Sequence, residues 1–329
     1  MTIRIYMGFL ILILCFPACL PDAGKVEPVP GTRSQLGEGA VWNHRTGQLY
    51  WVDITGKLLN IYTPRLDITR ELYTGQLIGT VVPAESGRVL VALEHGIYFL
   101  DPDTGTKQLI LYPEGEPEGN RFNDGKCDPA GRFWVGTMSV NGIPGRGSLY
   151  RLDPDSLIRR MVDNVSISNG IAWSPDRSRM YYIDTPTQKV TGYEYDNITG
   201  EIRNGKTVIE IPDEMGHPDG MTIDNEGNLW ICLWGGAAVG CWNPDTGKLL
   251  RKIDIPARNV TSCAFGDADL GTLYITTASI DTTPEELEKF PDAGALFKIR
   301  PGVTGVTACF FADKPVPVAS QAISNNPKD

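Results

Sequence analysis

Short apolar and aromatic runs, each opened by a Gly- or Ser-containing turn, recur along the chain. They begin at Gly47-Gln-Leu-Tyr-Trp51, Gly87-Arg-Val-Leu-Val91, Gly131-Arg-Phe-Trp-Val135, Ser178-Arg-Met-Tyr-Tyr182, Gly227-Asn-Leu-Trp-Ile231 and Gly271-Thr-Leu-Tyr-Ile275. Starts at 47, 87, 131, 178, 227 and 271 are spaced by 40, 44, 47, 49 and 44 residues. A second marker keeps the same count: Asp101-Pro-Asp-Thr-Gly105, Asp153-Pro-Asp-Ser156, Asp196-Asn-Ile-Thr-Gly200 and Asn243-Pro-Asp-Thr-Gly247, with weaker versions at Thr63-Pro64 and Arg300-Pro301-Gly302. These turns suit hairpins, so each unit holds about four short strands. Six such units with little helical periodicity between them predict an all-β fold, a six-bladed β-propeller with four-stranded antiparallel blades. The WD40 version is disfavoured, since no Gly-His and Trp-Asp pair brackets the repeats. Residues 21–312 form the expected propeller, closed by a strand from residues 25–35 against the last blade near Ala308 to Ala312. The Pro-rich stretch 313–329 reads as a C-terminal tail.

Composition fits this picture: of 329 residues, 41% are hydrophobic and 21% charged, and 36 Gly and 24 Pro supply the turns. The formal net charge of -10 disfavours a nucleic acid or an anionic membrane surface as the main partner, because either would be repelled. It leaves a neutral small substrate open. Residues 1–20 place Arg4 before the apolar run Met7 to Phe16, a secretory signal peptide by pattern and too short for a comfortable span. The mature protein is therefore expected to be exported, to the periplasm or beyond, with no transmembrane segment. Cleavage after Ala18 would leave Cys19 as a lipid-modified first residue; Ala23 is the other candidate site. Beyond the signal lie Cys127, Cys232, Cys241, Cys263 and Cys309, whose spacing fits neither zinc nor a disulfide scaffold. A two-residue turn at Gly236-Ala237 would set Cys232 opposite Cys241, as a disulfide or as two buried thiols.

The chemistry lies just before the repeats. Reading back seven to nine residues from five of the six starts reaches Glu38, Asp124, Asn169, Asp219 and Ser262, and all but the last are followed by Gly. A lone Asp-Gly or Asn-Gly is ordinary turn chemistry. Four in register, on the strands that line a propeller's axis, are expected to form a polar ring at one end of the channel. Carboxylates gathered there repel one another unless protonated or neutralised by a cation. Glu38, Asn169 and Asp219 offer only oxygen, which suits Ca²⁺ first, then Mg²⁺ or Mn²⁺, with Zn²⁺ not excluded by its use of carboxylates. Of the three histidines, His44 and His95 read as turn residues and His217, two residues from Asp219, is a further candidate for the pocket. Asp124 is another. In Arg121-Phe122-Asn123-Asp124-Gly125, Arg121 and Asn123 lie two apart on a strand and so point the same way, with donors suited to a substrate's oxygens.

At these residues the chain resembles the SMP-30/gluconolactonase/luciferin-regenerating-enzyme family, whose best-known member is regucalcin. The matching stretches are Leu36 to Trp42, Arg121 to Gly125, Gly136-Thr137-Met138, Ser168 to Ser174 and Pro218 to Met221. The resemblance implies a six-bladed propeller, one divalent metal on Glu38, Asn169 and Asp219, substrate contacts from Arg121 and Asn123, and hydrolysis of sugar lactones such as gluconolactone. The chain departs from the family in having Ala40 where a Pro is common and no acidic residue in the loop Asn141 to Gly147. Metal-polarised attack of water on the lactone carbonyl, with Asp219 as general base, fits the residues. Two other readings use the same ring: a propeller esterase or organophosphate hydrolase, and a secreted non-catalytic propeller with a structural ion. The triplets Asn164-Val-Ser166, Asn197-Ile-Thr199 and Asn259-Val-Thr261 would carry glycans only on a eukaryotic secretory route.

Overall fold

A computed structural model describes residues 24–313. The signal peptide, Cys19 and the tail beyond residue 313 lie outside the described residues. Six four-stranded antiparallel sheets follow one another around an axis, as the repeat count predicts. Each repeat start falls in the turn before a blade's second strand, as with Gly47 before Gln48–Asp53 and Gly131 before Phe133–Ser139. The innermost strands are Gly37–Asn43, Ile78–Pro83, Asn120–Cys127, Ser168–Trp173, His217–Ile223 and Asn259–Gly266. All but their ends are largely buried, whereas outer strands such as Ile68–Tyr73 and Lys248–Asp254 are mostly exposed or half-buried. The second strands, such as Val89–Leu93 and Leu229–Trp234, are covered on both faces and read as near-continuous apolar runs, while the outer strands read as mixed. The one α-helix among the described residues, Pro284–Lys289, is short and opened by a capping box on Thr283 and Glu286. No helix among them is long and apolar enough to cross a membrane.

The core is divided between neighbouring blades. Each of six buried clusters joins two consecutive sheets, as Trp134 and Leu149 of blade 3 meet Ile171, Met180 and Tyr182 of blade 4. Stacked faces of this kind exclude water along the whole radius of each blade pair. Blades 3 and 5 share a further fastening. Asp128 accepts hydrogen bonds from the Ala130 and Arg132 amides, from Arg132 Nε at 2.6 Å and from Trp134 Nε1 at 2.9 Å. Asp224 does the same for the Glu226 and Asn228 amides and for Trp230 Nε1. One carboxylate thus holds both the turn and the large aromatic that follows it.

Closure differs from the expectation. The strand Glu27–Pro28 pairs with Phe297–Ile299, making the N-terminal segment the outermost strand of blade 6. Residues 308–312 do not pair there. Instead the segment 303–313 runs as a strap across one end of the propeller: Gly305 N donates to Leu270 O of blade 6, Asn225 N of blade 5 to Thr304 O, Phe311 N to Pro83 O of blade 2, and Ala312 N to Gly131 O of blade 3. The cysteine pairing is also corrected. Leu233 pairs with Ala238 around a four-residue loop, so Cys232 faces Val239 and Cys241 faces Trp230. Both thiols are free and buried.

Asp128 is fully buried and bonded to Arg132. Asp128→Ala removes the charge partner of Arg132, whose Nη groups keep Tyr195, Asn197 and Ile198 as acceptors, and strands the Trp134 indole N–H, so it is expected to lower unfolding stability by about 2–4 kcal/mol, read as a drop in the urea midpoint at unchanged slope. A loss below about 1 kcal/mol would show that the turn does not depend on this carboxylate.

Candidate metal and substrate site

All six inner strands carry a β-bulge, and all six bulges fall at the same level. Register shifts lie between Glu38 and Val41, Ile78 and Thr80, Phe122 and Gly125, Asn169 and Ile171, Pro218 and Met221, and Val260 and Ser262. A bulge re-aims the side chain at its position, here in strands that face the axis. For Gly170 and Gly220 the cause differs from the turn chemistry weighed above, whereas Gly39 does adopt the left-handed φ of +62° that favours glycine. A Cβ on Gly170 would lie 2.7 Å from Asp219 O, and one on Gly220 2.7 Å from Thr261 O. Adjacent inner strands therefore approach backbone to backbone, and only Gly fits between them. Blade 2, which the sequence did not supply, contributes Gly79-Thr80; a Cβ on Gly79 would sit 2.5 Å from Phe122 O.

The ring brings Glu38, Asp124, Asn169 and Asp219 together, all buried. Glu38 Oε2 accepts from the Gly39 amide at 3.1 Å and Asp124 Oδ1 from the Gly125 amide at 2.8 Å. Asn169 is held differently. Its Nδ2 donates to Thr185 Oγ1 at 3.0 Å, and that hydroxyl donates to Pro218 O at 2.8 Å, one residue from Asp219. Thr185, which nothing in the sequence marked, fixes the amide so that Asn169 Oδ1 is the free end. Asn169 Oδ1 and Asp219 Oδ1 are both buried without a hydrogen-bond partner. Such orphaned acceptors are costly unless something binds them, and two beside Glu38 fit a hard cation. Among the described residues no three His, Cys, Asp or Glu side chains gather as a metal cluster, so the amide oxygen is the third donor this site needs.

Burial pushes the Glu38 carboxyl well above its ordinary range, and Asp219 and Asp124 add repulsion; the Gly39 amide and Arg121 offset it in part. Asp219 is likewise raised by burial and then by Asp124. Asp124 is raised by burial against the pull of Lys126. Arg121 is lowered by burial to about 10, with Glu38, Asp219 and Glu94 drawing it back, so it stays a cation at neutral pH. Its Nη1 donates to Asn123 Oδ1 at 2.7 Å and to Phe122 O at 2.9 Å. Asn123 Nδ2 in turn donates to Ser168 O at 2.8 Å. Both polar ends of Asn123 are engaged, so it steers Arg121, whose remaining donors face away from these bonds. His217 is exposed beside the ring with Nδ1 3.2 Å from Gln188 Oε1. Lys126, two residues beyond Asp124 on the same strand, also escaped the sequence reading; only its alternation with Asp124 could have pointed to it.

A family model for the SMP-30/gluconolactonase/LRE-like region matches residues 36–279. The chain belongs to this family. It is 40% identical over 281 residues to the "Putative sugar lactone lactonase YvrE" of Bacillus subtilis (strain 168), covering 85% of this chain and 96% of that protein. It is 40% identical over 286 residues to regucalcin of Danio rerio, covering 86% and 96%. Among solved structures, regucalcin of Agrobacterium tumefaciens strain C58, described as a calcium-binding protein, superposes with a TM-score of 0.83 at 25% identity, covering 88% of this chain and 97% of that one.

Because the folded protein raises the carboxyls of Glu38 and Asp219, it holds more protons than the unfolded chain between the ordinary carboxylate range and the raised values. Stability of the chelator-treated protein is therefore expected to fall as pH rises through that window. Glu38→Gln should flatten this dependence and raise the ion-free melting temperature, while reducing the increase that added Ca²⁺ gives. A melting curve in chelator that is indifferent to both pH and the substitution would contradict the electrostatics described.

Proposed function

We propose that the protein is a divalent-cation-dependent hydrolase of lactones, sugar lactones foremost. The observation that carries this reading is the pair of buried, unpartnered oxygens on Asn169 and Asp219 beside Glu38, in a chain of a family that includes gluconolactonase. Glu38, Asn169 and Asp219 would hold the ion, with Ca²⁺ favoured by the all-oxygen set and Mn²⁺, Mg²⁺ and Zn²⁺ as alternatives. When bound, such an ion supplies Lewis acidity toward a carbonyl oxygen and acidifies water.

The remaining work falls to side chains. Arg121, cationic and steered by Asn123, offers its free donors to the lactone's oxygens and sets the ring in place. Asp219 takes a proton from the attacking water as general base. Water's oxygen bonds to the carbonyl carbon, the ring C–O bond breaks, and the proton passes to the departing alkoxide, giving the hydroxy acid. We also read the protein as exported, from the apolar run behind Arg4.

The loop following Phe133–Ser139 has no carboxylate and exposes Val140 and Ile143. Substrates should therefore be tested across gluconolactone, alkyl lactones and aryl esters, each with Ca²⁺, Mn²⁺, Zn²⁺ or chelator. Turnover is expected to vanish in chelator and return with the ion. Asp219→Asn should lower kcat by about 10²–10⁴-fold, and Arg121→Met should act chiefly on KM. Full turnover in chelator, or an undiminished rate in Asp219→Asn, would overturn the proposal; binding of Ca²⁺ without turnover of any substrate would favour a structural ion.

A further inference from the structure

The ring occupies the first residues of the inner strands, and the last residues of the same strands enclose a second space. A cavity of about 280 Å³ lies there, walled by Trp42, Ala172, Trp173, Ile223 and Phe265 and covered by the strap at Val306 to Cys309. Asn169 to Trp173 and Asp219 to Ile223 are each four residues, so the cavity lies roughly 13 Å along the strands from the ring. Nothing in the lactone-hydrolase reading uses it.

Its lining is apolar except for hydrogen-bond donors and a few hydroxyls, and it includes no carboxylate. Lys126 reaches it from blade 3. The Lys126 Nζ donates to Met221 O at 2.6 Å, which occupies one of three N–H bonds, and the side chain keeps some solvent exposure although it stands on an inner strand. Trp173 lends part of its ring to the wall and packs on its other side against Trp134 and Tyr195. Arg177 stands exposed at the rim. An ammonium with unused donors at an apolar wall, and a guanidinium at the rim, suit an acceptor that is anionic and carries its own apolar body. The volume lies just under the roughly 300–1,000 Å³ of drug-sized sites, which suits one small molecule.

We propose that this cavity binds a monocarboxylate with an apolar body of medium length, such as a straight-chain fatty acid, its carboxylate toward Lys126 and its chain against Trp42, Trp173, Ile223 and Phe265. The strap residues Ala308 and Cys309, both part-exposed, border the way in.

Calorimetric titration of the full mature chain with decanoate, decanol and inorganic phosphate, read in parallel by tryptophan fluorescence, tests this. Decanoate should saturate at one site, decanol should bind at least about tenfold more weakly for want of the charge-assisted contacts, and phosphate should not bind. Lys126→Met should reduce decanoate affinity by about tenfold while leaving decanol unchanged, and Ala308→Trp should weaken both by blocking the way in. Equal affinity for decanoate and decanol, no saturation by decanoate, or decanoate affinity unchanged in Lys126→Met would overturn the proposal. The comparison of the two ligands needs no variant, so it decides the matter even where a substitution impairs folding.

Discussion

The site depends on how closely six inner strands can approach a common axis. At the level of the bulges they meet backbone to backbone, with Gly170 against Asp219 O and Gly220 against Thr261 O. Side chains larger than hydrogen are excluded from those contact points, and the bulge sends the neighbouring side chain inward instead. The polar ring follows from this packing. A Cβ at Gly79, Gly170 or Gly220 would push two blades apart and move the donors held between them, so the fold and the site share one geometric requirement.

That requirement brings a charge problem with it. Glu38, Asp124 and Asp219 are all buried, each is raised by burial, and Asp124 adds repulsion to the other two. The chain answers with Arg121 on one side and Lys126 on the other, both of which pull on these carboxyls. Neither makes a close ion pair with them, and Asn169 Oδ1 and Asp219 Oδ1 keep open lone pairs. A bound cation would satisfy those oxygens and remove the repulsion together, and by binding only the folded state it would stabilise the propeller. Thr185 matters here beyond its size. By accepting from the Asn169 amide N–H it engages the nitrogen and leaves the amide oxygen as the end without a partner.

Much of the fold was legible because a propeller repeats. Each blade needs the same turn before its second strand, so the Gly47, Gly131 and Gly227 stretches carry one signal several times. Four of the ring residues were legible for the same reason, being locked to those turns by strand length. Other features arise only in three dimensions. Blade 2 presents Gly79-Thr80 and has no polar-Gly pair to notice. Closure rests on two residues, Glu27–Pro28, too few for any period to show. The cysteine register turned on whether the Trp234-to-Ala237 connection holds two residues or four, and Gly235-Gly236-Ala237 is compatible with either. Gly136 illustrates the limit well: it belongs to the Gly-Thr-Met stretch, yet its reason is Ser168 on the next blade, whose Oγ would lie 1.7 Å from a Cβ there.

A six-bladed ring also makes the site a property of closure. Glu38 comes from blade 1, Asn169 from blade 4 and Asp219 from blade 5, so no single blade or adjacent pair holds all three. Their relative positions are set only when blade 6 meets blade 1 across the cluster of Trp42, Trp51 and Tyr274 and when Glu27–Pro28 completes blade 6. The strap adds a second tie, joining blades 6, 5, 2 and 3 at the far end of the axis. Closure at the rim and bracing at the far end leave the ring end free of backbone crossings by the strap. Bracing is thereby placed at the end of the strands opposite the ring, which is how a ring built from distant segments can be held in position without the strap crossing it.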